Sequence, residues 1–266
     1  MLVTPIYSGQ GLGNQLANYV TVKCLALDKG YDFGVMFPER FKGFFFKNID
    51  FGNKVYGGHI AVEGQAPILL PEGINKYYRE SIDSYEDGAV RGDYDPKIAL
   101  LDDNTIIHGL LQGENYYKHR KDEIKEWLKV DYLDMPDDLC VINFRGGEYK
   151  YVYDFFLPKS YWNTCIDKMK AINPNMRFEV HTDDSEEARK FFPDYPIVQN
   201  IELNWRSVRY AKYIILSNSS FGFLPAWLGD ARLILAPMYW ERHNKGRWQL
   251  LQNKTDKFTY VHSLSL

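Results

Sequence analysis

Cysteine is scarce: Cys24, Cys140 and Cys165 are the only three in 266 residues. The number is odd, and no pair has the spacing of a zinc site or a redox motif. Free thiols of this kind pack as small hydrophobes, so buried thiols in a reducing compartment are expected. Long apolar runs are missing too; the longest, around 233–237 and 214–216, fall far short of the roughly 18 residues of a membrane span. The start of the chain, Met1–Leu2–Val3–Thr4–Pro5, carries no basic leader followed by an apolar stretch, the mark of a secretory signal. There is no excess of positive charge either: 32 Lys and Arg against 35 Asp and Glu leave a formal charge of −3. That argues against a broad basic face for nucleic acid and leaves room for a local site for a small anion. A soluble, cytoplasmic protein with no membrane span and no nucleic-acid partner is expected. No repeat of fixed period and no low-complexity segment is found.

What is present is the balance of a globular chain. Hydrophobic residues make up 45% and charged residues 25%, enough for a sizeable core. The length fits one large domain or two small ones. Leu2–Tyr7 reads as a buried strand, followed by a glycine turn and a helix from Asn14 to Lys29 that Gly30 stops. Asp32–Phe37 reads as a second strand, which makes the opening an α/β unit. The stretch Pro38–Asp103, with Phe44–Phe45–Phe46 and Tyr77–Tyr78, does not resolve into elements. Thr105–Leu110 reads as a strand and Lys118–Val130 as a helix, and the polar, proline-containing Asp134–Asp138 as a linker.

Beyond it the rhythm restarts. Strands are expected at Leu139–Phe144, Met176–His181, Ile197–Gln199, Tyr213–Leu216 and finally Arg232–Ala236. Helices are expected at Pro158–Ala171, Ser185–Phe192, near Asn204–Ala211 and at Phe223–Gly229. Two α/β blocks imply Rossmann-like domains over residues 1–135 and 136–266, facing across a cleft.

The loop Gly9–Gln10–Gly11–Leu12–Gly13–Asn14–Gln15 fails two familiar tests. Its glycines miss the dinucleotide spacing, because the sixth place is Asn14 or Leu16, and no Lys–Ser/Thr pair follows to make a Walker loop. A nucleotide-dependent oxidoreductase is therefore disfavoured. The glycines permit close approach of a ligand, and the amides of Asn14 and Gln15 both donate and accept, which suits sugar hydroxyls. A tight turn capped by Asn14 is the alternative.

In the second block, Arg145 follows a strand and precedes Gly146–Gly147, where open α/β sheets bind ligands. Its guanidinium holds two phosphate oxygens at once and keeps its charge. Ser217–Asn218–Ser219–Ser220 lies between a strand and an apolar helix, a ready anion site or a simple cap. His181–Thr182–Asp183–Asp184 ends a third strand; its carboxylates either accept from a nucleoside or cap a helix. His181 reads as structural.

Taken in order, these segments resemble the α-1,2-fucosyltransferases of glycosyltransferase family 11, within the wider group of α-1,6 and protein O-fucosyl enzymes. Gln10–Leu16 is similar to that family's GGLGNQ-type opening. His108–Gln112 with Tyr116–Tyr117 is similar to its G-Y-x-Q…Y-F stretch. Val141–Tyr149 stands in the place of its H-x-R-R-G-D-Y motif, Phe178–Asp184 of F-x-F-S-D-D, and Ser217–Leu228 of S-N-S-S-F-S-W-W-x-A-W-L. The resemblance spans roughly residues 10–240.

It implies a GT-B fold with the nucleotide-sugar in the C-terminal domain. It also implies metal-independent, inverting transfer of fucose from GDP-fucose to a hydroxyl of a glycan acceptor, with no cofactor. Arg145 takes the place of the family's pyrophosphate-binding arginine, Asp183 that of a guanine-associated carboxylate, and Ser219 and Ser220 the phosphate turn. Donor-binding candidates are then Gly11, Gly13, Asn143, Arg145, Asp183, Asp184, Ser217, Asn218, Ser219, Ser220 and Phe221. Arg145, Glu148 and Asn14 are the catalytic candidates, Glu148 as a base or as a group orienting Arg145. The motif departs at Asn143 (family His), Gly146 (Arg) and Glu148 (Asp), and Phe223–Leu224 replaces an aromatic pair. A donor with another deoxyhexose such as rhamnose, and a non-catalytic glycan- or nucleotide-binding module, stay open. The expected source is bacterial or viral.

Overall fold

A computed structural model describes residues 1–59, 69–80, 94–152, 155–242, 248–250 and 255–263. The described residues fall into two units, the first ending at Val130 and the second starting at Asp131.

The first unit opens with β1 (Leu2–Pro5), buried at all four positions as a strand covered on both faces must be. A glycine loop leads to α1 (Leu12–Lys29), which Gly30 ends in left-handed geometry with φ 66°, its N–H turned back to Ala26 and Leu27. The helix starts two residues before Asn14, with Gly11 at the cap position and no side chain capping it. The Asn14-capped turn is therefore not formed. Then come β2 (Phe33–Met36), β3 (Asn53–Lys54), an antiparallel pair β4 (Gly57–His59) and β5 (Leu69–Pro71), then β6 (Lys76–Arg79) and β7 (Thr105–His108). The sheet order is β3-β2-β1-β7-β6, with every pairing parallel. The helix expected over Lys118–Val130 is shorter, α2 (Lys121–Trp127) after a 3-10 turn, because Leu128 already leaves helical geometry.

The second unit contains β8 (Leu139–Phe144), α3 (Lys159–Ile172), β9 (Arg177–Thr182), α4 (Ser185–Phe191), β10 (Ile197–Val198), α5 (Ile201–Tyr210), β11 (Tyr213–Leu216), α6 (Ser220–Leu228) and β12 (Leu233–Pro237). β12 is not the last strand. β13 (Tyr239–Arg242) and β14 (Trp248–Leu250) pair antiparallel, and β15 (Thr259–Val261) adds to β12 in parallel. The order is β10-β9-β8-β11-β12-β15, again all parallel.

Alternate residues of β8 explain the layering. Cys140, Ile142 and Phe144 join a core with Trp162, Cys165 and Met169 of α3. On the other face α6 packs so closely that a Cβ at Gly222 would lie 2.6 Å from Asn143 Oδ1. Residues Gly222 to Leu228 are all buried, which suits a helix apolar on every side. All three cysteines are free and buried, as their number implied. The architecture is α/β with two parallel sheets, compatible with Rossmann-like units. Among the described residues no helix is long and apolar enough to cross a membrane.

Candidate functional site

Open parallel sheets bind ligands beyond the carboxyl ends of the strands where the order reverses. In the second sheet that strand is β8, with β9 on one side and β11 on the other. Leu216 of β11 lies opposite Asn143 of β8, and the Ser217 N–H donates to the Asn143 carbonyl at 2.9 Å. The Arg145 loop and the Ser217–Ser220 bend therefore leave the sheet side by side.

Arg145 donates from Nη1 to Asp183 Oδ2 and from Nη2 to Glu148 Oε1. Its guanidinium carbon sits 5.3 Å from the centre of the Tyr149 ring. Asp183 also accepts from the Gly146 N–H at 2.9 Å, so it ties the end of β9 to the loop after β8. Burial raises the Asp183 carboxyl pKa, against the opposing pull of Arg145 and the Gly146 N–H. Asp184 caps α4 through the Glu187 N–H at 3.0 Å and pairs with Lys150 at 2.7 Å. The Lys150 hydrogen bond holds its carboxyl below the ordinary range.

This packing accounts for both glycines. A Cβ at Gly146 would lie 2.7 Å from the Asp184 Cβ, and one at Gly147, where φ is 25°, would clash with Asp183 Oδ2. An arginine side chain thus has no room at 146 in this loop. Sequence reasoning missed Lys150; its only signal is a second cation five residues beyond Arg145.

On the other side of the crevice, Ser219 caps α6, its hydroxyl accepting from the Phe221 N–H at 3.4 Å. Ser219 and Ser220 are half-buried. Asn143, Ser217 and Asn218 are buried within the scaffold. The Ser217 hydroxyl donates to Asn143 Oδ1 at 3.4 Å, and Asn218 Nδ2 donates to the Phe155 carbonyl at 2.9 Å. Phe221 packs edge-on against Trp205, ring centres 6.0 Å apart. The second unit thus sets two ion-paired groups next to each other beside the serine bend, Arg145 with Glu148 and Asp183, and Lys150 with Asp184.

Gly11, Gly13 and Asn14 belong to the first unit. There the order reverses at β1, flanked by β2 and β7. Asn14 Oδ1 accepts from Gln112 Nε2 at 2.7 Å, joining the first turn of α1 to the segment after β7. Buried Asn18 donates to the carbonyls of Asn14 and Gly109, both at 2.9 Å. Glu80 accepts from the N–H groups of Leu110 and Leu111, each at 2.9 Å, holding Leu111 at a positive φ of 48°. His108 ends β7, its Nδ1 3.3 Å from the Tyr77 hydroxyl, and burial pushes its pKa down to about 4. Glu80 and Tyr77 fall in the stretch that periodicity left unread.

Among the described residues no group of three His, Cys, Asp or Glu side chains is placed to hold a metal ion. No protein-family model and no curated protein sequence gives a significant match to the chain.

Proposed function

We propose that the protein is a glycosyltransferase that moves a sugar, foremost fucose from GDP-fucose, to a hydroxyl of a glycan acceptor with inversion. The observation that carries this reading is that the Arg145 loop and the start of α6 follow the adjacent, paired strands β8 and β11. A guanidinium and a helix N-terminus on one crevice suit a diphosphate. The ordered family-like segments support fucose and a GT-B architecture, with the donor in the second unit and the acceptor in the first.

In the reaction the acceptor oxygen attacks the anomeric carbon, the bond from that carbon to the β-phosphate oxygen breaks, and its electron pair leaves with the diphosphate. Arg145 and the α6 N–H groups stabilise the growing negative charge. The acceptor proton goes to a base, for which Glu148 is the candidate. Asp183 orients Arg145.

Thermal shifts with GDP, UDP, TDP, CDP and their sugars test the donor. A ligand at about 100 times its dissociation constant stabilises the fold by roughly 2.7 kcal/mol. Arg145→Ala is expected to cost about 3 kcal/mol in donor binding or transfer, on the order of a hundredfold. Near-normal transfer by that variant would refute the assignment.

One observation favours a second reading, a module that binds a nucleotide or glycan without turnover. The loop has a single arginine, and both of its terminal nitrogens already meet carboxylates. Turnover of any nucleotide-sugar by the purified protein excludes it.

A further inference from the structure

The second unit also holds a cavity of about 750 Å³ between β9, the segment entering β10, and α5. Its walls include Leu133, Met135, Leu139, Tyr195, Val198 and Leu203. The volume and apolar lining are those of a small-molecule site, which needs only a few placed polar groups.

Those groups are Glu179, His181 and Ser207. His181 is 1% exposed, and its Nδ1 lies 3.0 Å from Asn204 Oδ1. Asn204 Nδ2 donates to the Thr182 carbonyl at 2.9 Å, which fixes Oδ1 as the acceptor. The other ring nitrogen lies 2.8 Å from Glu179 Oε1. Both ring nitrogens thus lie against side-chain oxygens. Both nitrogens have partners other than Ser207, so this histidine is not placed to activate a serine nucleophile.

Two polar atoms remain. Ser207 is 3% exposed, yet its hydroxyl takes no partner among the described residues, and neither does Glu179 Oε2. Ser207 is the nearly buried one, and a polar group so placed is costly unless a ligand or water meets it; the Glu179 side chain is 30% exposed. The charged side chains of the wall balance in sign, Lys170 and Arg177 against Glu179 and Asp194, with Arg177 held by Asp138 and Glu179 by His181. An ion gains little from such a wall.

We propose that this cavity binds a neutral amphipathic small molecule whose hydroxyl or amide head donates to Glu179 Oε2 and accepts from the Ser207 hydroxyl. The apolar body of the ligand lies against Tyr195, Val198 and Leu203. The site is independent of the diphosphate crevice.

The test titrates four probes into the ¹⁵N-labelled full chain: 2-phenylethanol, 3-phenylpropionamide, ethylbenzene and 3-phenylpropionate. The alcohol and the amide are expected to shift the amide signals of Val198, Leu203 and Ser207 and to bind about tenfold more tightly than the other two. Glu179→Gln and Ser207→Ala are each expected to weaken the alcohol about fivefold. Leu203→Arg, at a position 39% exposed, is expected to block the cavity without disturbing the core. Equal binding of ethylbenzene or of the carboxylate overturns the proposal, as do absent shifts with all four probes or indifference to Ser207→Ala. Ser207→Ala leaves the buried pair in place, so the test survives if Glu179→Gln perturbs the fold. GDP titrated into the same variants separates this proposal from the glycosyltransferase reading, since either can fail alone.

Discussion

Glu148 has two possible roles at Arg145, and Glu148→Gln separates them. Its carboxylate touches the guanidinium on which the diphosphate reading depends, and its side chain is 67% exposed. Two unit charges about 4 Å apart interact by about 1 kcal/mol in water and several times more in a drier setting. Exposure places this pair near the water end. A bound diphosphate close to Arg145 also lies close to Glu148 and is repelled by it on that scale. Removing the charge while keeping the side-chain shape is therefore expected to tighten GDP binding about fivefold. The gain should shrink in added salt, because the Debye length falls to about 10 Å at 0.1 M. Calorimetric titration of GDP at two salt concentrations measures both effects. If Glu148 is also the base, kcat falls sharply in the same variant although the donor binds better. Weaker or unchanged GDP binding refutes the electrostatic argument and leaves Glu148 as a strut that holds Arg145 in its binding orientation.

Two further predictions concern the scaffold. Gly222→Ala forces a Cβ to within 2.6 Å of Asn143 Oδ1 and 3.0 Å of Leu216, so denaturant unfolding should show a loss of about 1–3 kcal/mol; an unchanged midpoint would mean that α6 does not pack on β8 at this distance. His108 titrates near 6.5 when unfolded and near 4 when folded, chiefly through burial with Arg79 adding to it. Between those values the unfolded chain binds the extra proton, so stability is lost as pH falls through the interval, by at most about 3 kcal/mol. His108→Gln should flatten the pH dependence of stability over that range, and parallel curves for the two proteins would contradict it.

Much of the second unit was legible because its strands are strongly apolar and end in recognisable chemistry. Leu139–Phe144 and Tyr213–Leu216 are found where periodicity placed them. β15 was not visible: Thr259–Val261 is three residues long, and it is a strand only because Leu235, Ala236 and Pro237 offer it a parallel edge. α6 begins earlier than its apolar run because Ser219 supplies the cap. In the first unit, β3 has two residues and β6 is half exposed, so neither shows the alternation by which a strand is recognised. Parts of Pro38–Asp103 lie outside the described residues. At the site, the helix cap given as one reading of the carboxylates is formed by Asp184, and that given for the serines by Ser219. Asp183 and Asp184 are adjacent in sequence but do different work, one bracing Arg145 and the other capping α4 and holding Lys150.

That division of labour sets a constraint on any anionic ligand. Across the two ion-paired groups Arg145 and Lys150 face Glu148, Asp183 and Asp184, two cations against three carboxylates. A diphosphate brought to Arg145 adds negative charge to a group that already has a surplus of it. One route to relief is built in. Burial raises the pKa of Asp183, and the main opposing influence is the Arg145 charge. A diphosphate that draws Arg145 away removes that influence and adds repulsion, both of which push the Asp183 pKa further up. GDP binding is therefore expected to take up a proton and to tighten as pH falls. Glu148, well exposed, contributes less to this uptake. Calorimetric titrations in buffers of different ionisation enthalpy measure the protons directly, and the GDP phosphate's own titration is subtracted by running Asp183→Asn in parallel. Uptake in the native chain that disappears in Asp183→Asn fits the scheme. Equal uptake in both proteins, or none in either, would mean that the diphosphate leaves the Arg145–Asp183 pair intact and is held by the start of α6 instead.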